Sequence, residues 1–184
     1  MFAVKTRVID DDDFLKTVTI DSFNDIGESI YGFIEVTVGE HRHGWYHENP
    51  LQHWDVSRDI LDWWIGFLLD SANTISETNY AAFLIPDTYN TWLEFELVDD
   101  LVVLNFAKSE EYATNKTFIY EKNINFSYIE SVGTKVKYSI FFNEIIRATN
   151  TFFAQLESIN PDILKTQTMT KLQTTLGELG CSDN

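Results

Sequence analysis

The chain has 184 residues and a mass of 21.3 kDa, enough for one ordinary domain with its own core. With 44% hydrophobic and 15% aromatic residues it has the apolar content of a packed domain, and a single cysteine, Cys181, excludes a disulfide scaffold. A net charge of -16 and a pI near 4.4 reverse the attraction that phosphates and anionic lipid supply, so neither nucleic acid nor a membrane is expected as a partner.

In chain order, residues 2–9 and 15–20 read as short strands separated by Asp10, Asp11, Asp12 and Asp13. Residues 32–38 alternate, with Ile34, Val36 and Val38 on one face and Phe33, Glu35 and Thr37 on the other, as in a half-buried strand. A loop is expected over 39–54. A helix then follows, with Asp55 or Ser57 as its N-cap and Ile60, Trp63, Trp64, Phe67 and Leu68 as a wide buried stripe. Residues 81–85 form a further strand ending at Pro86-Asp87, and 92–98 pairs with 101–106 through the turn Asp99-Asp100. Short strands are expected at 117–120, 124–129 and 134–138.

From Ser139 the period changes to that of a helix, with Phe142, Ile145, Ile146, Thr149, Phe152, Phe153 and Leu156 on one face. Asn160-Pro161 closes it and opens another helix, whose stripe of Met169, Leu172, Leu176 and Leu179 could pack on the sheet; residues 181–184 form a frayed tail. The expected fold is α+β, one domain over residues 1–184, with a mainly antiparallel sheet against a central helix and C-terminal helices. No secretory signal follows Lys5 and Arg7, and the most apolar run, residues 63–69, is too short to span a bilayer. A cytoplasmic protein is expected.

Charge is unevenly spread. Residues 1–100 hold 20 acidic and 5 basic side chains, a net of -15, whereas residues 101–184 are close to neutral. Two readings stand side by side: a solvated acidic surface, or a face that docks a basic partner. For the second, the candidate contacts are Asp10, Asp11, Asp12, Asp13, Glu40, Glu48, Asp99 and Asp100 at turns, with Glu94 and Glu96 on the outer side of strand 92–98. Trp92 shares that outer side. It is either an aromatic interface anchor among acids or a side chain covered by another segment.

His41, His43, His47 and His53 fall within thirteen residues, among Glu40, Glu48 and Asp55. His-x-His on an extended strand suits a zinc or iron site, so a small metal-dependent enzyme on His41, His43 and His47 is an alternative. Against it, the chain lacks His-Glu-x-x-His, Cys-x-x-Cys, Gly-x-Ser-x-Gly and phosphate-binding glycine motifs. The main expectation is accordingly no catalysis, no metal and no cofactor. A third possibility is a small-ligand module with Trp63 or Trp64 in its wall.

The segments Gly32-Phe33-Ile34-Glu35-Val36-Thr37-Val38-Gly39, residues 60–69 with Trp63-Trp64, Asp87 with Trp92-Leu93-Glu94-Phe95, and Asn160-Pro161-Asp162-Ile163-Leu164 together resemble small immunity proteins of bacterial polymorphic-toxin and contact-dependent growth inhibition systems. The resemblance implies an acidic cytoplasmic protein that binds and neutralises one cognate toxin, and it carries over no individual binding residue. A nuclease toxin must be basic to hold phosphates, which suits an acidic inhibitor.

Overall fold

The computed structural model describes residues 1–10, 13–51, 58–110, 116–122, 124–128 and 133–181; Asp11, Asp12, His53, Trp54 and the expected caps Asp55 and Ser57 lie outside the described residues. The alternation of the first strands is realised as β1 (Phe2–Val8) and β2 (Tyr31–Val38), paired antiparallel from Phe2 opposite Val38 to Val8 opposite Gly32. Gly32 is required there, because a Cβ would sit 2.1 Å from the Arg7 carbonyl oxygen. Two strands share the far edge of β2, end to end: β3 (His41–Trp45) and β4 (Asp59–Ile60). All of β3 falls in the expected loop.

β2 is buried on both faces rather than half-buried. The second face is covered because the His47 ring lies 4.7 Å from that of Phe33, while Arg7 donates from Nη1 to the His47 and Asn49 carbonyls at 2.8 Å each. Residues 15–20 depart from the expected strand and form α1 (Phe14–Thr17) and the start of α2 (Ile20–Ile26). Capping overrides the strand propensity of Val18 and Ile20: Asp10 Oδ1 accepts the Leu15 N–H at 2.9 Å, and Thr19 Oγ1 accepts the Ser22 N–H at 3.2 Å.

α3 (Leu61–Thr78) is the central helix. Its buried stripe is Leu61, Trp64, Ile65, Leu68, Leu69, Ala72 and Ile75, one residue later than the expected one, and Trp63 is consequently turned outward at 53% exposure. The second sheet follows: β5 (Tyr80–Leu84), β6 (Thr91–Val98), β7 (Leu101–Ser109), β8 (Phe118–Ile119), β9 (Phe126–Tyr128) and β10 (Thr134–Lys137). Its order is β8-β5-β6-β7-β10, with β9 also on β7 and all pairs antiparallel. The β6–β7 hairpin turns at Asp99-Asp100 as expected, with Asp99 in the left-handed region at φ 57°.

α4 (Tyr138–Ile159) buries Phe141, Phe142, Ile145, Ala148, Thr149, Phe152 and Leu156. It lies along the outer edge of β1 and occupies the backbone groups a further strand would take. Val4 N–H donates to Glu144 Oε1 and Val8 N–H to Gln155 Oε1, each at 2.7 Å, and Gln155 Nε2 donates to the Thr6 carbonyl at 2.8 Å. Asn160 caps a 3₁₀ turn (Pro161–Lys165), and α5 (Gln167–Cys181) follows. The α5 stripe, led by Met169 and Leu172, packs chiefly on α3 rather than on the sheet. Both sheets, α3, α4 and α5 feed one continuous hydrophobic core, so the architecture is α+β. Among the described residues no helix is long and apolar enough to cross a membrane.

Candidate partner-binding face

Among the described residues, the acidic side chains singled out by sequence do not assemble into one surface. Asp10 caps α1, and Asp13, at its N-terminus, is ion-paired with Lys16. Glu40 lies in the β2–β3 turn, at the opposite end of the β1–β2 ladder from Asp10, roughly 20 Å away by strand geometry. Glu48 accepts the Tyr46 hydroxyl at 3.0 Å; Asp99 and Asp100 are exposed at the β6–β7 turn; Glu96 is ion-paired with Lys122 at 3.1 Å.

Trp92 and Glu94 correct the expectation of an exposed outer face, since both are 0% exposed. Leu93 and Phe95 do face the main core, but Ile119, Ile124 and Phe126 lie over the other side of the sheet, with Phe126 5.6 Å from Trp92 between ring centres. Glu94 is fully partnered there. It accepts from Tyr80 Oη at 3.0 Å, Asn105 Nδ2 at 3.0 Å and Tyr128 Oη at 3.4 Å, and Lys122 Nζ stands 3.5 Å away. Burial, then the Glu94 charge, push the Tyr80 phenol above its usual range.

His43 and His47 pack against aromatic rings. His43 lies 5.8 Å from Trp64 and 5.9 Å from Phe106 between ring centres, and His47 lies against Phe33 and Trp45. Burial pulls the His43 imidazole below its usual value, partly offset by Asp59. Among the described residues no group of three His, Cys, Asp or Glu side chains is arranged to hold a metal ion, so the alternative built on His41, His43 and His47 lacks its ligand set.

What the fold does bring together lies around the turn from α2 to β2. Gly27, at φ 65°, ends α2, and the chain is then clamped to the first turn of α3. Ile30 N–H donates to Asp62 Oδ1 at 2.7 Å, and Leu61 N–H donates to the Ile30 carbonyl at 2.7 Å. Asn24 Oδ1 accepts the Gln167 N–H at 3.0 Å, tying α2 to α5. Between α2, α3 and α5 opens a cleft of about 560 Å³.

Helical spacing sets the α3 wall of this cleft. Asp62, Gly66 and Asp70 form one i, i+4, i+8 row, and Trp63 and Phe67 the neighbouring row. Gly66, between the two acids, lets Leu172 of α5 approach the helix, 3.5 Å from where a Cβ would sit. Glu28 contributes a third carboxylate, and Lys171 is the lining base. An adjoining hollow of about 310 Å³ shares Glu28 and Ser29 and adds Asp10, Tyr31 and Arg58. Asp10, Glu28, Asp62 and Asp70 therefore line two adjoining hollows that share Glu28 and Ser29, with Trp63 in the lining of one and the 41%-exposed Tyr31 in that of the other.

No protein-family model, no curated protein and no solved structure matches the chain. The chemistry of the cleft rests on its own residues. Burial raises the Asp62 carboxyl from 3.8 to about 6 against the opposing Ile30 N–H, and Glu28 adds to the rise. Burial also raises Asp70, and Lys171 opposes it. Such carboxylates gain most from a cation brought close to them. Of this lining, sequence reasoning offered only Trp63, as one of two candidate pocket-wall tryptophans, Trp64 being buried in the core; it missed the carboxylates, although the Asp62, Gly66, Asp70 spacing was available to it.

Proposed function

We propose that this protein binds and neutralises a basic protein toxin, as an immunity protein would, and that it does so by occupancy and without catalysis. The observation that carries the reading is Trp63, an aromatic side chain 53% exposed at the rim of a cleft whose charged lining is three carboxylates and one lysine. Rigid aromatic groups dominate interface energetics when a partner desolvates them. Surrounding carboxylates steer a cationic partner to the site and raise its association rate by ~10–10³. The resemblance to immunity proteins supports a toxin as that partner and the cytoplasm as the place of encounter.

The reading requires a cognate toxin, expected from a gene beside this one, and the test is growth rescue and binding by that toxin domain. The protein should form a one-to-one complex with it, abolish its toxicity, and associate about tenfold more slowly when salt is raised from low to high ionic strength. A neighbouring toxin that neither binds nor is neutralised contradicts the reading.

A further inference from the structure

The cleft between α2, α3 and α5 has a more specific chemistry than a generally acidic surface, and its role as a docking site rests on the proposed partner binding. Its volume of about 560 Å³ falls in the range of about 300–1,000 Å³ typical of ligand pockets. An anionic occupant would meet three carboxylates. A purely apolar one would cover Asp62, only 6% exposed already, without supplying any counter-charge. A bare metal ion lacks a three-ligand set among the described residues. An organic cation is left.

The two ends of the cleft differ. Asp70 has Lys171 of α5 close enough to act on its charge, so that end is already answered by a base. At the other end Glu28 and Asp62 act on each other, and among the described residues no base lines the cleft beside them, Arg58 lining the adjoining hollow instead. Trp63, one residue along α3 from Asp62, forms the aromatic rim at this end. Two carboxylates beside an indole suit a planar, weakly hydrated guanidinium, which stacks on the ring and makes forked hydrogen bonds; an ammonium does only part of this.

We propose that the cleft is an arginine pocket, in which a partner arginine places its guanidinium between Glu28 and Asp62 and lies against Trp63. Between the carboxylates the cleft floor is low, because Gly66 carries no side chain and a Cβ there would already touch Leu172 of α5 at 3.5 Å. Lys171 at the far end disfavours a second cation and fixes the direction of entry.

The experiment is an NMR titration of the full chain with Nα-acetyl-argininamide and with its neutral isostere Nα-acetyl-citrullinamide, reading the Trp63 indole N–H and the Gly27 and Gly66 amides. Argininamide should bind saturably with a Kd of about 1–10 mM, citrullinamide at least tenfold more weakly. Glu28→Gln, on a surface turn, and Trp63→Ala should each weaken argininamide about fivefold or more. Equal binding of the two probes, or no effect of either substitution, overturns the pocket. A second arm measures the toxin domain against wild type and Glu28→Gln. Unchanged toxin affinity in Glu28→Gln overturns the pocket and leaves the proposed function standing. Saturable argininamide binding with no toxin binding upholds the pocket chemistry and removes the proposed function.

Discussion

Asp62 and Ile30 lock the α2–β2 turn to the central helix through a 2.7 Å hydrogen bond from the Ile30 N–H to a carboxylate that is only 6% exposed. The bond satisfies a backbone donor that would otherwise be buried without a partner, but it holds a charge in a poorly solvated place beside Glu28. The same strain that costs stability prepares the cleft for a cation.

Replacing Asp62 by Asn keeps the Oδ1 acceptor and removes the charge. The folded carboxyl, at about 6, lies above its value of 3.8 in the unfolded chain, so the folded state binds the proton more tightly. Its contribution is fully present below pH 3.8 and is lost as pH rises through about 6, a change of about 2–3 kcal/mol. Thermal melts from pH 4 to 8 should show Asp62→Asn roughly 5 °C or more above wild type at pH 7.5, with the difference shrinking toward pH 4. A variant that melts lower than wild type at pH 7.5 would refute this account of Asp62.

Glu94 is the converse case, a buried charge fully surrounded by donors. Glu94→Ala leaves Tyr80 and Asn105 without their acceptor and should cost about 3–5 kcal/mol in urea unfolding. Lys122→Ala should cost about 1 kcal/mol, because that side chain is 47% exposed and water replaces much of what it supplies. Equal losses in the two variants would mean that the carboxylate, and not its donors, is the weak member.

Gln155 mimics a neighbouring strand by pairing with Val8 and Thr6 on the edge of β1. Gln155→Leu should cost about 1–3 kcal/mol and speed hydrogen exchange at the Val8 amide selectively. Unchanged protection of Val8 would show that the helix shields the edge without bonding to it.

Gly32→Ala places a methyl group against the Arg7 carbonyl in the first sheet. The β1–β2 pair must part to admit it, at a cost of about 3 kcal/mol or more, and urea midpoints compared with Gly177→Ala, where a Cβ meets nothing within 4 Å, provide the check.

The parts of this fold that are legible in the sequence are those set by local rules. The β6–β7 hairpin follows from alternation around an acidic turn, and the buried face of α4 from a clean helical period. Residues 60–69 are apolar in two overlapping registers, so periodicity alone sets the stripe of α3 one residue early and turns Trp63 into the core. α1 and α2 are hidden because Asp10 and Thr19, acting as caps, outweigh strand-forming neighbours. Period two divides β6 into two faces and says nothing of a later segment crossing the second one, which is why Trp92 and Glu94 read as outward from sequence. The cleft is illegible for a related reason: its α3 wall is a local spacing, while the opposing wall comes from α5, far along the chain.

The most direct test of the central claim is the affinity of the cognate toxin domain that the proposed function requires for Trp63→Ala compared with Asp99→Asn/Asp100→Asn. We predict that Trp63→Ala raises Kd about thirtyfold or more, as loss of an interface anchor does, and that the β6–β7 turn variant binds within about twofold of wild type. Wild-type affinity in Trp63→Ala together with a large loss in the turn variant would contradict the account and move the binding face to the other sheet.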